Sequence, residues 1–273
     1  MRRARTGRLQ GDRLSRRKGR GSEFADSRPY AQGDDTRFLD WSVYARLDRL
    51  FLRLFREEED LPVYLLVDLS ASMWFGTPSK LHLARQLVAA FSWIGLVNLD
   101  RVSVVGFTDR PVVRSPVFRG RAAFPRLLTF IESLQTAGQG DFSRAMRTTA
   151  MGLSGCGLVV LLSDFLDKGS VAGGLQSLLA RQKDLFAIQI LSEEEMKPRL
   201  VGDLRLTDIE DGDQTEITVT ALMLANYQQS LSSFRAELTR DMARHGVPFL
   251  STDTRTPFDQ LILNTLRIRG MIH

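Results

Sequence analysis

The chain has 273 residues, 43% hydrophobic and 25% charged, enough for one large α/β domain or a domain with a small appendage. Its single cysteine, Cys156, excludes an internal disulfide framework, and no apolar run reaches the length of about 20 residues that a membrane-spanning helix needs. The net charge of +5 averages unlike parts: residues 1–20 carry eight Arg and one Lys against one Asp, a formal +8, which leaves about −3 for the rest.

Residues 1–20 show no apolar period and are expected to form a basic, mobile arm. Such an arm can bind nucleic acid or an acidic surface, although a solvated terminus is the reading favoured here and a nucleic-acid partner is not expected. Arginines without a following apolar segment do not make a secretory signal, though a mitochondrial presequence shares the composition. The protein is read as cytoplasmic.

Residues 21–60 form a distinct N-terminal segment. Gly21-Ser22-Glu23-Phe24, Arg28-Pro29-Tyr30 and Gly33-Asp34-Asp35-Thr36-Arg37-Phe38-Leu39-Asp40-Trp41 are rich in turn formers but interleaved with aromatics, which predicts an anchored loop. Arg28, Arg37, Asp34, Asp35 and Asp40 are placed to cross-link it by charge-assisted bonds. Residues 42–56 fit a helix followed by a strand, and the run Glu57–Asp60 fits a solvated turn.

From residue 61 onward apolar strands alternate with amphipathic helices. Leu61–Asp68 is a short apolar run with β-branched residues, expected as a strand buried on both faces. Helical spacing of Leu83, Leu87, Ala90, Phe91 and Ile94 predicts a helix over 79–97, and Arg101–Phe107 is a second strand. Val112-Val113 and Pro116-Val117-Phe118 suit an edge strand, where proline is tolerated. Helices are expected over 121–134, 142–152 and 171–182, and buried strands over 157–164 and 185–191. β-prone runs flanking Asp211-Gly212 predict a hairpin insertion over about 203–219. A long helix over 221–244, with Leu222, Ala225, Leu231, Phe234, Leu238 and Met242 inward, a short strand at 247–250 and a helix over 257–268 complete the order. The fold class expected is α/β: a doubly wound, mainly parallel sheet flanked by helices, with an N-terminal extension and a β-hairpin insertion.

The strand ending at Asp68 runs into Asp68-x-Ser70-x-Ser72, one carboxylate and two hydroxyls at alternate positions. The strand over 157–164 likewise ends in Ser163-Asp164. Open α/β sheets place their sites beyond the carboxyl edge, so Asp68, Ser70, Ser72 and Asp164 are candidate ligands for a hard divalent cation, Mg²⁺ or Mn²⁺. Few protein charges would leave such an ion able to take a carboxylate from another molecule. The plain alternative is that these residues cap the turns that follow them. His82 is expected on an exposed helix face, His245 at a helix end, and Cys156 in packing.

These residues resemble the metal-ion-dependent adhesion motif of von Willebrand factor type A domains, Asp-x-Ser-x-Ser with a distant Thr and Asp. Upstream, Gly21-Ser22-Glu23-Phe24, Arg28-Pro29-Tyr30, Gly33-Asp34-Asp35, Arg37, Asp40-Trp41 and Ala45-Arg46 are similar to the signature of a bacterial family, the domain of unknown function fifty-eight, often encoded beside MoxR-type AAA+ ATPases. The resemblance implies a type A, Rossmann-like domain over 61–270. It further implies a non-enzymatic binding module acting as adaptor or co-chaperone with such an ATPase and its client. It also implies a loop hydroxyl where this chain has Gly138-Gln139-Gly140-Asp141-Phe142, so that Gly140 stands at the Thr position and Asp141 is the neighbouring candidate ligand. Two other functions stay open: a metal-dependent hydrolase using Asp68 and Asp164, and nucleic-acid binding through the arm. The first has a thin carboxylate set, with no GxxxxGK[ST] loop and no evident triad.

Overall fold

A computed structural model describes residues 18–19, 23–56, 61–138, 140–154, 157–167, 171–181, 184–198, 202–207 and 214–268. Cys156, nearly all of the basic arm, the run 57–60 and the Asp211-Gly212 turn lie outside the described residues. The chain divides into two units, Met1–Asp60 and Leu61–His273.

In the first unit, β1 (Lys18–Gly19) and β2 (Glu23–Pro29) both pair antiparallel with β3 (Phe51–Arg56), giving the order β1-β3-β2. Helix α1 (Trp41–Leu47) precedes β3, so 42–56 is indeed a helix followed by a strand. The strand at 23–29 replaces part of the loop expected there. Its turn-forming residues are overridden by ladder pairing with β3, and a bulge between Phe24 and Asp26 absorbs the misfit. Of the aromatics expected to anchor this segment, Tyr30 and Phe38 are half-buried, but Trp41 is exposed and stacks edge-on to Tyr44. The expected ionic links form. Arg28 grips Asp34 with two bonds of 2.6 and 2.7 Å, Arg37 pairs with Asp35, and Arg53 reaches Asp40, which also caps α1. Arg53 and the Ser42 hydroxyl hold the Asp40 carboxyl well below the usual carboxylate range.

The second unit is built on a six-stranded sheet. In chain order its elements are β4 (Pro62–Asp68), α2 (Lys80–Val97), β5 (Arg101–Phe107), β6 (Pro111–Arg114), α3 (Phe124–Ser133), α4 (Phe142–Gly152), β7 (Leu158–Ser163), α5 (Val171–Leu179) and β8 (Asp184–Leu191). Then follow α6 (Glu193–Met196), the antiparallel hairpin β9 (Gly202–Thr207) and β10 (Gln214–Val219), α7 (Ala221–Arg244), β11 (Phe249–Asp253) and α8 (Phe258–Ile268). The sheet order is β11-β8-β7-β4-β5-β6, parallel throughout except for the edge strand β6. The doubly wound, mainly parallel arrangement and the hairpin insertion match the sequence reading.

Strand β4 shows why the sheet is covered on both sides. Val63, Leu65 and Val67 face one core with residues of α2, α3 and α8, while Tyr64 and Leu66 face a second core with residues of α4, α5 and α7. Every residue of β4 is buried. The chain leaves β4 toward β5 on one side and later fills β7 on the other, so the carboxyl end of β4 lies at the topological switch point. Helix α7 departs from its expected inward face: Leu238 and Met242 are buried, whereas Leu222 is 72% exposed and Ala225 is exposed too. Among the described residues its later turns join the core beside β11, while its first turns leave Leu222, Met223 and Ala225 exposed. Among the described residues, no helix is long and apolar enough to cross a membrane.

Candidate functional site

Parallel pairing sets Val67 opposite Leu162, so the next residues, Asp68 and Ser163, leave the sheet side by side. The Ser163 hydroxyl donates to Asp68 Oδ2 at 2.6 Å, and the backbone N–H of Ser70 donates to Asp68 Oδ1 at 2.9 Å. Those two bonds turn the chain at once into a 3-10 turn over Ala71–Trp74. The turn brings the Ser70 and Ser72 hydroxyls to 3.0 Å from each other, and Ser72 Oγ then donates to Asp164 Oδ2 at 2.8 Å. The two strand tips are thereby joined through hydroxyls, and both carboxylates are buried.

Asp164 is held on every side. Its Oδ1 accepts from Leu166 N–H, its backbone carbonyl accepts from Gln189 Nε2, and Gln189 is fixed in turn by the Ser251 hydroxyl on β11. Its Oδ2 also takes the ammonium of Lys80 at 2.6 Å. Lys80 is the first residue of α2, with no exposed side-chain surface, and its Nζ makes a second 2.6 Å bond to Glu195 Oε1. Burial alone would push the lysine down, but the carboxylates of Asp164 and Glu195 outweigh it and hold the ammonium above its ordinary value. Glu195 is rigid because it closes a capping box: its Oε2 accepts from Ser192 N–H at 2.7 Å and its own N–H donates to Ser192 Oγ at 3.0 Å.

Among the described residues no ammonium reaches Asp68. Burial, and then the charge of Asp164, push its carboxyl up to about 7, against smaller opposing contributions from its hydrogen bonds to Ser163 and Ser70. A buried carboxylate in that state gains from any cation placed beside it.

The loop before α4 forms the opposite wall. Ala137 N–H donates to Leu69 O at 2.7 Å and Ala71 N–H to Gly138 O at 3.1 Å, which lays the loop along the Asp68–Ser72 turn. A Cβ added at Gly140 would meet the Ser70 Cβ at 3.4 Å, ordinary contact distance, so this position does face the site. Asp141 caps α4, accepting from Arg144 N–H at 2.8 Å, and Asp167 receives Phe142 N–H. Among the described residues no group of three or more His, Cys, Asp or Glu side chains is placed to hold a metal ion. The convergent oxygens are two carboxylates, Asp68 and Asp164, and three hydroxyls, Ser70, Ser72 and Ser163. The Ser70–Ser72 and Ser72–Asp164 separations of 3.0 and 2.8 Å are those of ordinary hydrogen bonds, and they set these oxygens side by side at the sheet edge.

Lys80 and Glu195 were not legible as site residues from motif spacing. Two signals pointed to them. A lysine in the first turn of a helix opposes the helix dipole and so calls for nearby acids. Ser192-x-x-Glu195 after an apolar strand is a capping-box pattern.

Comparison with known proteins agrees with the upstream signature. Residues 26–237 match the family described as "Protein of unknown function DUF58". The uncharacterized protein Rv1480 of Mycobacterium tuberculosis (strain ATCC 25618 / H37Rv) is 30% identical over 251 residues, 90% of this chain and 79% of that protein. The uncharacterized protein MAV169 of Mycobacterium avium is 27% identical over 146 residues, 52% of this chain and 86% of that protein. Among solved structures, the conserved hypothetical protein BatB from Bacteroides thetaiotaomicron aligns with 77% of this chain and 99% of its own, at a TM-score of 0.47 and 13% identity.

Proposed function

The chain belongs to the DUF58 family of proteins of unknown function, and from that premise we propose that it is a non-enzymatic binding module whose docking site is a divalent cation at the carboxyl edge of the sheet. Asp68, Ser70 and Ser72 hold Mg²⁺ or Mn²⁺ in this proposal. Asp164 supports them through the Ser72 hydroxyl or a bridging water, and Asp141 remains at its helix cap. The ion, when bound, supplies an open coordination position for a carboxylate of a partner protein. The von Willebrand factor type A likeness of the motif belongs to the same proposal.

One observation carries the reading: two separate strand tips meet through Ser72–Asp164 at 2.8 Å and Ser163–Asp68 at 2.6 Å, hydrogen-bond distances that leave the same oxygens close enough together to ligate one small hard cation. Turn capping accounts for the Ser70 N–H bond to Asp68 but gives no reason for a second carboxylate to meet Ser72. The partner in this proposal is a MoxR-type AAA+ ATPase with its client, met in the cytoplasm, with the protein as adaptor or co-chaperone.

Affinity capture of the full chain from native lysate tests this reading. With magnesium, the wild type should retain an AAA+ ATPase, and chelator or Asp68→Ala should release it. Equal retention in all three conditions refutes a metal-dependent interaction. Turnover of a phosphate or ester substrate that disappears in Asp68→Asn would favour the hydrolase reading instead.

A further inference from the structure

The pocket already contains a cation of its own. Lys80 enters it against the dipole of the helix it begins, with its ammonium fully buried and 2.6 Å from two acids. Neither acid is free to turn away. Glu195 is locked by the Ser192 capping box, and the Tyr227 hydroxyl donates to its backbone carbonyl at 2.9 Å. Asp164 is fixed through both oxygens and its carbonyl. The loop that delivers Lys80 is shaped for the purpose: Phe75 O accepts the Lys80 N–H, and Gly76, at φ +94°, packs so closely on Ser192 that an added Cβ would lie 2.6 Å from the serine Cβ.

We propose that Lys80 is the resident counter-ion of the cation site, a positioning residue that spends its charge on Asp164 and Glu195 and so sets the field an incoming divalent ion meets. This rests on the reading of Asp68, Ser70 and Ser72 as the ion's ligands. Asp164 Oδ2 accepts from both Ser72 and the Lys80 ammonium, whereas the hydrogen bonds to Asp68 come from the uncharged Ser163 hydroxyl and Ser70 N–H. Three carboxylates, Asp68, Asp164 and Glu195, against one ammonium give a formal −2, which a divalent ion brings to zero. A partner's carboxylate then approaches a neutral pocket. Without Lys80 the occupied pocket is negative: the ion is held more tightly, and the partner's acid is repelled. Lys80 thus gives up some cation affinity in exchange for access to an acidic ligand.

The test is a manganese titration of the metal-free full chain, followed by the electron paramagnetic resonance signal of free Mn²⁺, with circular dichroism confirming that each variant is folded. Lys80→Met should bind Mn²⁺ roughly tenfold or more tightly than the wild type, and Glu195→Gln roughly tenfold more weakly, because each changes the pocket by one buried charge. The double variant Lys80→Met/Glu195→Gln restores the formal charge and should return to within about threefold of the wild type, a recovery that a purely structural lysine would not produce. Should Lys80→Met fail to fold without metal, the Glu195→Gln arm decides alone, since it leaves the Lys80–Asp164 pair in place. Unchanged affinity in Glu195→Gln, or a folded Lys80→Met that binds no more tightly than the wild type, overturns the proposal while the cation site stands. A wild type that binds no Mn²⁺ overturns the cation site itself.

Discussion

Replacing Asp68 with asparagine should make the metal-free protein more stable at neutral pH. The Asp68 carboxyl is buried beside Asp164 and pushed up to about 7 from an ordinary 3.8. Because the folded value is raised, the ionised form is disfavoured in the folded state. The cost sets in as pH rises through 3.8, is complete above about 7, and is absent in acid. At roughly 1.4 kcal/mol for each tenfold, that gap bounds the cost at about 4 kcal/mol. Asparagine keeps the acceptor for Ser70 N–H but turns its amide NH₂ toward Ser163, giving back about 1 kcal/mol. A net gain of about 1–3 kcal/mol should raise Tm by roughly 3–10 °C. Calorimetry in chelator from pH 4 to pH 8 checks this. The gain should be largest at pH 8 and turn into a small loss at or below pH 4, and added magnesium should stabilise the wild type but not Asp68→Asn. A variant that is less stable at pH 8, or equally shifted at every pH, would refute the electrostatic reasoning.

Gly76→Ala forces a side chain into a positive-φ turn and against Ser192, so it should cost about 2–4 kcal/mol in urea unfolding. Gly140→Thr sets its Cβ at contact distance from Ser70 and adds a hydroxyl to the loop that faces the site, and Mn²⁺ titration should show several-fold tighter binding than the wild type. Asp40, held low by Arg53 and Ser42, contributes stability that is present above pH 3.8 and lost as pH falls toward its depressed value. Asp40→Asn should therefore flatten the acid limb of the unfolding curve for the first unit, followed by Trp41 fluorescence.

Most of the second unit was legible because its strands are buried on both faces. Apolar runs such as Val63–Val67 and Val159–Leu162 admit few other readings when helical periods separate them. Their polar ends, Asp68 and Ser163-Asp164, stood out against those runs, which is why the convergence of two strand tips could be expected before any geometry was known. What escaped the sequence depends on long-range pairing. Strand β2 contains Asp26-Ser27-Arg28-Pro29, a turn-like stretch that becomes a strand only because β3 offers it a ladder. The first turns of α7 carry an apolar period whose Leu222 and Met223 stay exposed. Lys80 lies among the helical positions of α2, and spacing records where apolar residues recur, not which acids a buried cation meets 84 and 115 positions away.

Isothermal titration of the chelator-stripped protein with Mn²⁺, wild type against Asp68→Ala, tests the central claim most directly. One ion per wild-type chain, lost in Asp68→Ala while the variant stays folded, is the result expected from the joined tips of β4 and β7. Absence of binding by the wild type, or the same isotherm from both proteins, contradicts it.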